Sequence, residues 1–156
     1  DPVTLGHVDI VNRLHKIFDE VVVLVADSTE KKYMFSANER ANLIQHCFEG
    51  VEGVKVDVFS GLTVEYAKKI DAQTIIRGIR AVADFEYEMA MANMNKKLNE
   101  DIETLIVFAS PEYNFISSRW VKEIAMNGGE TNKFVPPHVV EALSSKCSLS
   151  IKLELL

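Results

Sequence analysis

Two cysteines, four prolines, seven glycines and one tryptophan are all that occur among 156 residues, and each shortage removes a class of protein. Cys47 and Cys147 lie far apart and outside any Cys-x-x-Cys spacing, which excludes a disulfide scaffold and a zinc ribbon and leaves two reduced thiols. Proline and glycine are too sparse for a linker or a low-complexity tract, so one domain is expected. No apolar run reaches the length of a membrane span and no signal peptide opens the chain, which predicts a soluble intracellular protein. Positive charge is scarce too: 17 Lys and Arg face 23 Asp and Glu, for a net charge of −6. Duplex nucleic acid is therefore not an expected partner, and any anion site must come from a local concentration of basic groups. What is present is 47% hydrophobic and 26% charged residues, an ordinary globular balance with enough apolar material for a core without staples.

Strand-like and helix-like segments alternate along that material. Glu20 to Ala26, the short run that opens at Thr74 and turns outward by Arg80, and Glu103 to Ala109 are apolar runs of the kind buried in parallel sheets, and Val54, Val56 and Val58 alternate as in a strand nearer the edge. Helical spacing follows His7, Ser36, Thr63, Asp84, Ser118 and Pro137, and Ser36 with Glu39 forms a capping box. The expected fold is α/β, a doubly wound parallel sheet with helices on both faces. The helix from Asp84 carries an apolar face wider than one sheet contact needs, from Phe85 and Tyr87 to Met94 and Leu98, so a subunit contact is expected there. His15 and His138 read as surface residues, and His46 as a surface or boundary position. Ser148 to Leu156 alternate apolar and polar residues, as a strand does, and read as a tail beyond a domain spanning 1–147.

Candidate chemistry collects where strands turn into helices, the edge at which open α/β sheets bind ligands. Arg77 and Arg80 bracket Gly78 at the central turn, and two guanidiniums there suit phosphate. His7 falls at a helix N-terminus, where the dipole disfavours imidazolium and leaves a neutral hydrogen-bond donor beside an anion. Lys31 and Lys32 lie on the loop after the first run. Leu62 and Thr63 occupy another strand-to-helix turn, and Ser117 and Ser118 precede a helix whose bare N–H groups make a second phosphate-sized cradle. Glu86 and Glu88 are expected in the first turn of their helix, where carboxylates are favoured.

Taken together, Thr4-Leu5-Gly6-His7, Lys31, the block from Arg77 to Glu88 and Asn114-Phe115-Ile116-Ser117-Ser118 closely resemble the bacterial phosphopantetheine adenylyltransferases. The resemblance runs from Asp1 to about Lys146, and the long Arg-Gly-x-Arg-Ala-Val-x-Asp-Phe-Glu-Tyr-Glu block is its most specific part. It implies a five-stranded Rossmann-like nucleotidyltransferase, hexameric and cytoplasmic, that joins ATP to 4′-phosphopantetheine and yields dephospho-coenzyme A and pyrophosphate. It also implies roles. His7 would contact the α-phosphoryl group, Arg80 the ATP phosphates, and Lys31 and Arg77 the incoming phosphate, with His7, Lys31 and Arg80 as the catalytic set. Gly78 and Ile79 would lie along the nucleotide, and Glu88 would be its contacting acid. Tyr113, Asn114, Phe115, Ile116, Ser117, Ser118 and Arg119 would form the loop around adenine and the outer phosphates, and Leu62 and Thr63 the pantetheine pocket. Mg²⁺ would arrive with ATP, since the sequence has no dedicated metal cage.

Two departures stand out: the family's first strand, ending in Gly-Ser/Thr-Phe, would precede Asp1, and Arg119 stands where the family usually has a small residue. Two rivals stay open on sequence alone, another adenylyl- or cytidylyltransferase and a catalytically silent nucleotide-binding module.

Overall fold

β-branched runs become strands where flanking turns let them pair. Val21–Ala26 (β1) and Val54–Phe59 (β2) run parallel, in register from Val21 opposite Val54 to Ala26 opposite Phe59. Thr74–Ile79 (β3) and Glu103–Phe108 (β4) repeat the arrangement, from Thr74 opposite Glu103 to Ile79 opposite Phe108. Parallel partners need crossovers, and helices supply them: Ala37–Cys47 (α2) between β1 and β2, and Val82–Leu98 (α4) between β3 and β4. Leu5–Leu14 (α1) precedes β1, Thr63–Lys69 (α3) joins the two strand pairs, and Ser118–Met126 (α5) and Pro137–Glu154 (α6) close the chain. The computed structural model describes residues 1–28 and 32–154, the side chains of 149–154 excepted.

Each turn has a local cause. Ser36 caps α2 by accepting from the Glu39 amide at 3.2 Å, while the Glu39 carboxylate accepts from the Ser36 amide at 2.7 Å. Gly53 enters β2 at φ +80°, where a Cβ would stand 2.6 Å from the Asp19 carbonyl oxygen, so both backbone conformation and space demand glycine. Pro137 opens α6 at the position where its missing N–H costs nothing.

Among the described residues the strands form two pairs, β1 with β2 and β3 with β4, and no hydrogen bonds join the pairs. Residues of β1 and β3 instead line a groove of about 920 Å³ that extends to the start of α5. One apolar core lies beside it, where Val121 of α5 and Val139 and Leu143 of α6, all at most 1% exposed, pack with Val3, Phe35 and Ile116. That cluster pins the turn before α1 and the loop before α5 against each other. A second cluster of Val64, Ala67, Ile75 and Ile102 seats α3 on β3.

The stretch from Ser148, read as a tail, continues α6 as helix to Glu154. Two sequence expectations change here. His138 is not a free surface residue: its Nε2 lies 2.9 Å from the Leu43 carbonyl and its ring stacks on His46 at 4.7 Å. His15 is half-buried, with Nδ1 enclosed and unpaired in the described structure.

Candidate active site

His7 owes its state to the turn that delivers it. Thr4 is the N-cap of α1 and His7 its third helical residue, the spacing of a capping box with histidine in the place of Glu or Gln. The Thr4 amide donates to His7 Nδ1 at 3.1 Å, with the Thr4 hydroxyl 2.8 Å from the same nitrogen. A nitrogen that accepts from an amide carries no proton, so the neutral ring bears its hydrogen on Nε2, for which no described residue is an acceptor. Solvent reaches the ring through the open groove. Even so, desolvation by the groove walls, with the guanidinium of Arg80 acting in the same direction, lowers its pKa from 6.5 to about 4. At neutral pH His7 is a donor without charge.

Arg80, at the end of β3, is fixed from two sides. Its amide donates to the Asp84 carboxylate at 2.9 Å and its Nε to the same oxygen at 3.2 Å, while Nη1 donates to the Ile116 carbonyl at 3.1 Å. The Arg80 amide first, and then its side chain, hold Asp84 below the usual carboxylate range. Asp84 is the third residue of α4, so one carboxylate both caps the helix and orients an arginine. Arg77 is gripped by Glu88 through two parallel bonds, Nε to Oε2 at 2.7 Å and Nη2 to Oε1 at 2.9 Å. The expectation that Glu86 and Glu88 lie in the first turn is corrected: α4 begins at Val82, Asp84 is the acid of that turn, and Glu88 sits beyond it, 8% exposed and paired with Arg77.

The groove brings His7, Arg77, Gly78, Arg80 and Glu88 together with Thr63 and with Tyr113, Ile116, Ser117, Ser118 and Arg119. It does not bring in every residue expected there. Ile79 is a core side chain, Leu62 is exposed ahead of α3, and Asn114 and Phe115 face outward from the loop before α5, Phe115 meeting Phe134 edge to face. Ile116 buries its side chain in the core and offers its carbonyl to Arg80. Both serine hydroxyls have protein partners: Ser117 accepts from the Trp120 amide at 3.2 Å as N-cap of α5, and Ser118 donates to the Pro2 carbonyl at 2.7 Å. Arg119 lines the groove with no described partner. The side-chain space that Gly78 leaves is approached by the Ile10 methyl of α1, 2.6 Å from where a Cβ would stand. Lys31 lies outside the described residues.

Sequence reading gave no role to Asp1 and took Thr4 only as part of the Thr4-Leu5-Gly6-His7 motif. The Asp1 carboxylate, 1% exposed, accepts from the Met34 and Phe35 amides at 2.8 and 3.0 Å and pairs with Lys122 of α5 at 2.9 Å. It ties the turn carrying Thr4 to the segment after Lys32 and to α5, contacts too distant in sequence to leave a signal. Thr4 did leave one, since Thr-x-x-His has capping-box spacing.

Residues 1–124 match the cytidylyltransferase-like family. Phosphopantetheine adenylyltransferase of Bdellovibrio bacteriovorus is 60% identical over 146 residues, covering 94% of this chain and 91% of that protein. The chain belongs to this family. The turn from Thr4 to His7 and the block with Arg77 and Arg80 line one groove of this chain, with Arg80 close enough to act on the charge state of His7. For the described residues of this adenylyltransferase relative, no cluster of three His, Cys, Asp or Glu side chains has the arrangement of a metal site, and no helix is long and apolar enough to cross a membrane.

Proposed function

We propose that this chain transfers the adenylyl group of ATP to 4′-phosphopantetheine, forming dephospho-coenzyme A and pyrophosphate, the penultimate step of coenzyme A synthesis. An oxygen of the acceptor phosphate attacks the α-phosphorus in line. The bond from that phosphorus to the bridging oxygen breaks, and pyrophosphate leaves with the electron pair. No protein nucleophile is needed, so the protein contributes alignment and charge stabilisation. The observation that carries the reading is the neutral His7, its Nδ1 occupied by Thr4 and its Nε2–H unclaimed in the groove that also holds Arg77 and Arg80.

In this reading His7 Nε2–H donates to the α-phosphoryl oxygen, and Arg80, braced by Asp84 and the Ile116 carbonyl, meets the ATP phosphates. Arg77 and Lys31 hold the acceptor phosphate, with Thr63 beside the pantetheine arm. The start of α5, with Ser117, Ser118 and Arg119, takes the outer phosphates through backbone N–H groups and the Arg119 charge. Mg²⁺ fits as an ion carried by the nucleotide, because the groove carboxylates Asp84 and Glu88 are already committed to arginines. Bound there, it would neutralise phosphate charge. A fifth strand lying between β1 and β3 would pair with both groove-facing edges and complete a Rossmann-like sheet. The enzyme works in the cytoplasm as a homohexamer.

The test is pyrophosphate release from ATP with 4′-phosphopantetheine, measured against other phosphomonoester acceptors and repeated with His7→Ala. Release should depend on the pantetheine acceptor, and the variant should lose roughly 10² to 10³ in kcat, about 3 to 4 kcal/mol of transition-state stabilisation, with ATP affinity little changed. Equal turnover of an unrelated acceptor, or loss confined to ATP affinity, would reject the assignment.

A further inference from the structure

The resemblance makes Glu88 a nucleotide contact, yet the structure commits both of its oxygens to another task. We infer that Glu88 is a positioning residue for the acceptor site: it acts on the incoming phosphate by holding the Arg77 guanidinium in one orientation. The inference rests on the assignment of Arg77 to the acceptor phosphate in the proposed function.

Arg77 projects from a strand and its side chain is 43% exposed, so alone it would sample many rotamers. Glu88 takes the Nε and Nη2 side of the guanidinium with bonds of 2.7 and 2.9 Å. A guanidinium has five N–H groups, and this side-on pairing uses two of them. The remaining fork, Nη1 with the second hydrogen of Nη2, has no described partner and belongs to a residue that lines the groove. It has the planar, two-donor geometry that a phosphate accepts. Glu88 itself is 11% exposed at its side chain, against the 43% of Arg77, so the arginine presents the greater accessible surface of the pair. Glu88 and Asn95 are the buried residues of α4, both polar, while the large apolar side chains of that helix stay exposed. Burial of a carboxylate in preference to Met89 or Met91 is costly unless its partner is fixed in return.

Two effects of opposite sign compete. The carboxylate places a negative charge near an anion site, which alone would weaken phosphate binding, and it removes the rotational freedom of Arg77, which strengthens it. In this proposal orientation is the larger effect, and Glu88→Asp, which keeps the charge but withdraws it from the side-on pairing, separates the two.

The experiment measures binding of 4′-phosphopantetheine and of ATP, each by titration calorimetry, for the unmodified chain, Glu88→Gln, Glu88→Asp, Arg77→Lys and the double variant Arg77→Lys/Glu88→Gln, with thermal unfolding as a check on folding. Gln keeps the size and loses one charged acceptor; Asp keeps the charge and withdraws it by one methylene. Both should weaken phosphopantetheine binding about tenfold and change ATP binding less than about twofold. In the Arg77→Lys background, where side-on pairing is impossible, Glu88→Gln should add less than about twofold. Weakened ATP binding with phosphopantetheine binding unchanged, tighter phosphopantetheine binding, or full additivity in the double variant would each overturn the proposal. An unmodified chain that binds ATP and no phosphopantetheine would overturn the substrate reading as well, a result distinct from all three.

Discussion

At the scale of single residues, the site is governed by which atom of a ring or carboxylate is already occupied. Thr4 decides the tautomer of His7, and the groove walls decide its charge. Because the folded ring titrates near 4 and the unfolded ring near 6.5, the unfolded chain binds more protons between those values. Stability therefore rises with pH through that window, and His7 opposes folding increasingly as pH falls from 6.5 towards 4. The expected NMR titration of the His7 ring has its midpoint near 4, and its imidazole signals stay those of the Nε2–H tautomer through neutral pH. A midpoint near 6.5 would place the ring in open solvent and remove its role as a neutral donor. That His7 stands at a helix N-terminus was legible from its neighbours. That its other nitrogen is taken by Thr4 depends on the φ/ψ of the cap, and Arg80 reaches it only through the fold.

At the scale of elements, caps and turns were the most readable features, because they depend on residues three or four apart. The Ser36 and Glu39 box closes as the spacing predicts. Its loss in Ser36→Ala should cost about 1 kcal/mol and lower the thermal midpoint by about 2 to 4 °C in a domain of this size, as scanning calorimetry would register. No change would mean that the Glu39 pairing with Lys146 of α6, at 2.8 Å, carries the helix start instead. Helix α4 was the least readable element. Its apolar breadth was visible, but the residues it buries are Glu88 and Asn95, since the inward-facing stripe is set by where β3 places Arg77. The stretch from Ser148 was poorly readable too, because alternation over a few residues does not show that α6 is already propagating into it.

At the scale of the whole molecule, the exposed apolar side chains gather on α4 and the adjoining strand, with Tyr87 59%, Met94 63%, Leu98 58% and Phe108 73% exposed. A face of that kind on a chain of net charge −6 is expected to be covered by copies of itself, in keeping with the hexamer proposed above. Light scattering should give six times the chain mass, and Met94→Lys should shift the population towards smaller species; a monomer at micromolar concentration would exclude the hexamer. The alternation of parallel-strand runs with amphipathic helices was enough, read along the chain, to set the α/β class and the edge at which His7, Arg77 and Arg80 meet, since periodicity and turn chemistry are local. Which side chains share the groove was a different matter. Ile79, Leu62, Asn114 and Phe115 sit beside groove residues in sequence and are turned away from the groove, because a strand reverses its side chain at every residue and a loop can reverse at any. The pairing of Arg77 with Glu88, of Arg80 with the Ile116 carbonyl and of Asp1 with Lys122 joins residues that local rules never compare. Only closure of the tertiary structure brings them within bonding distance.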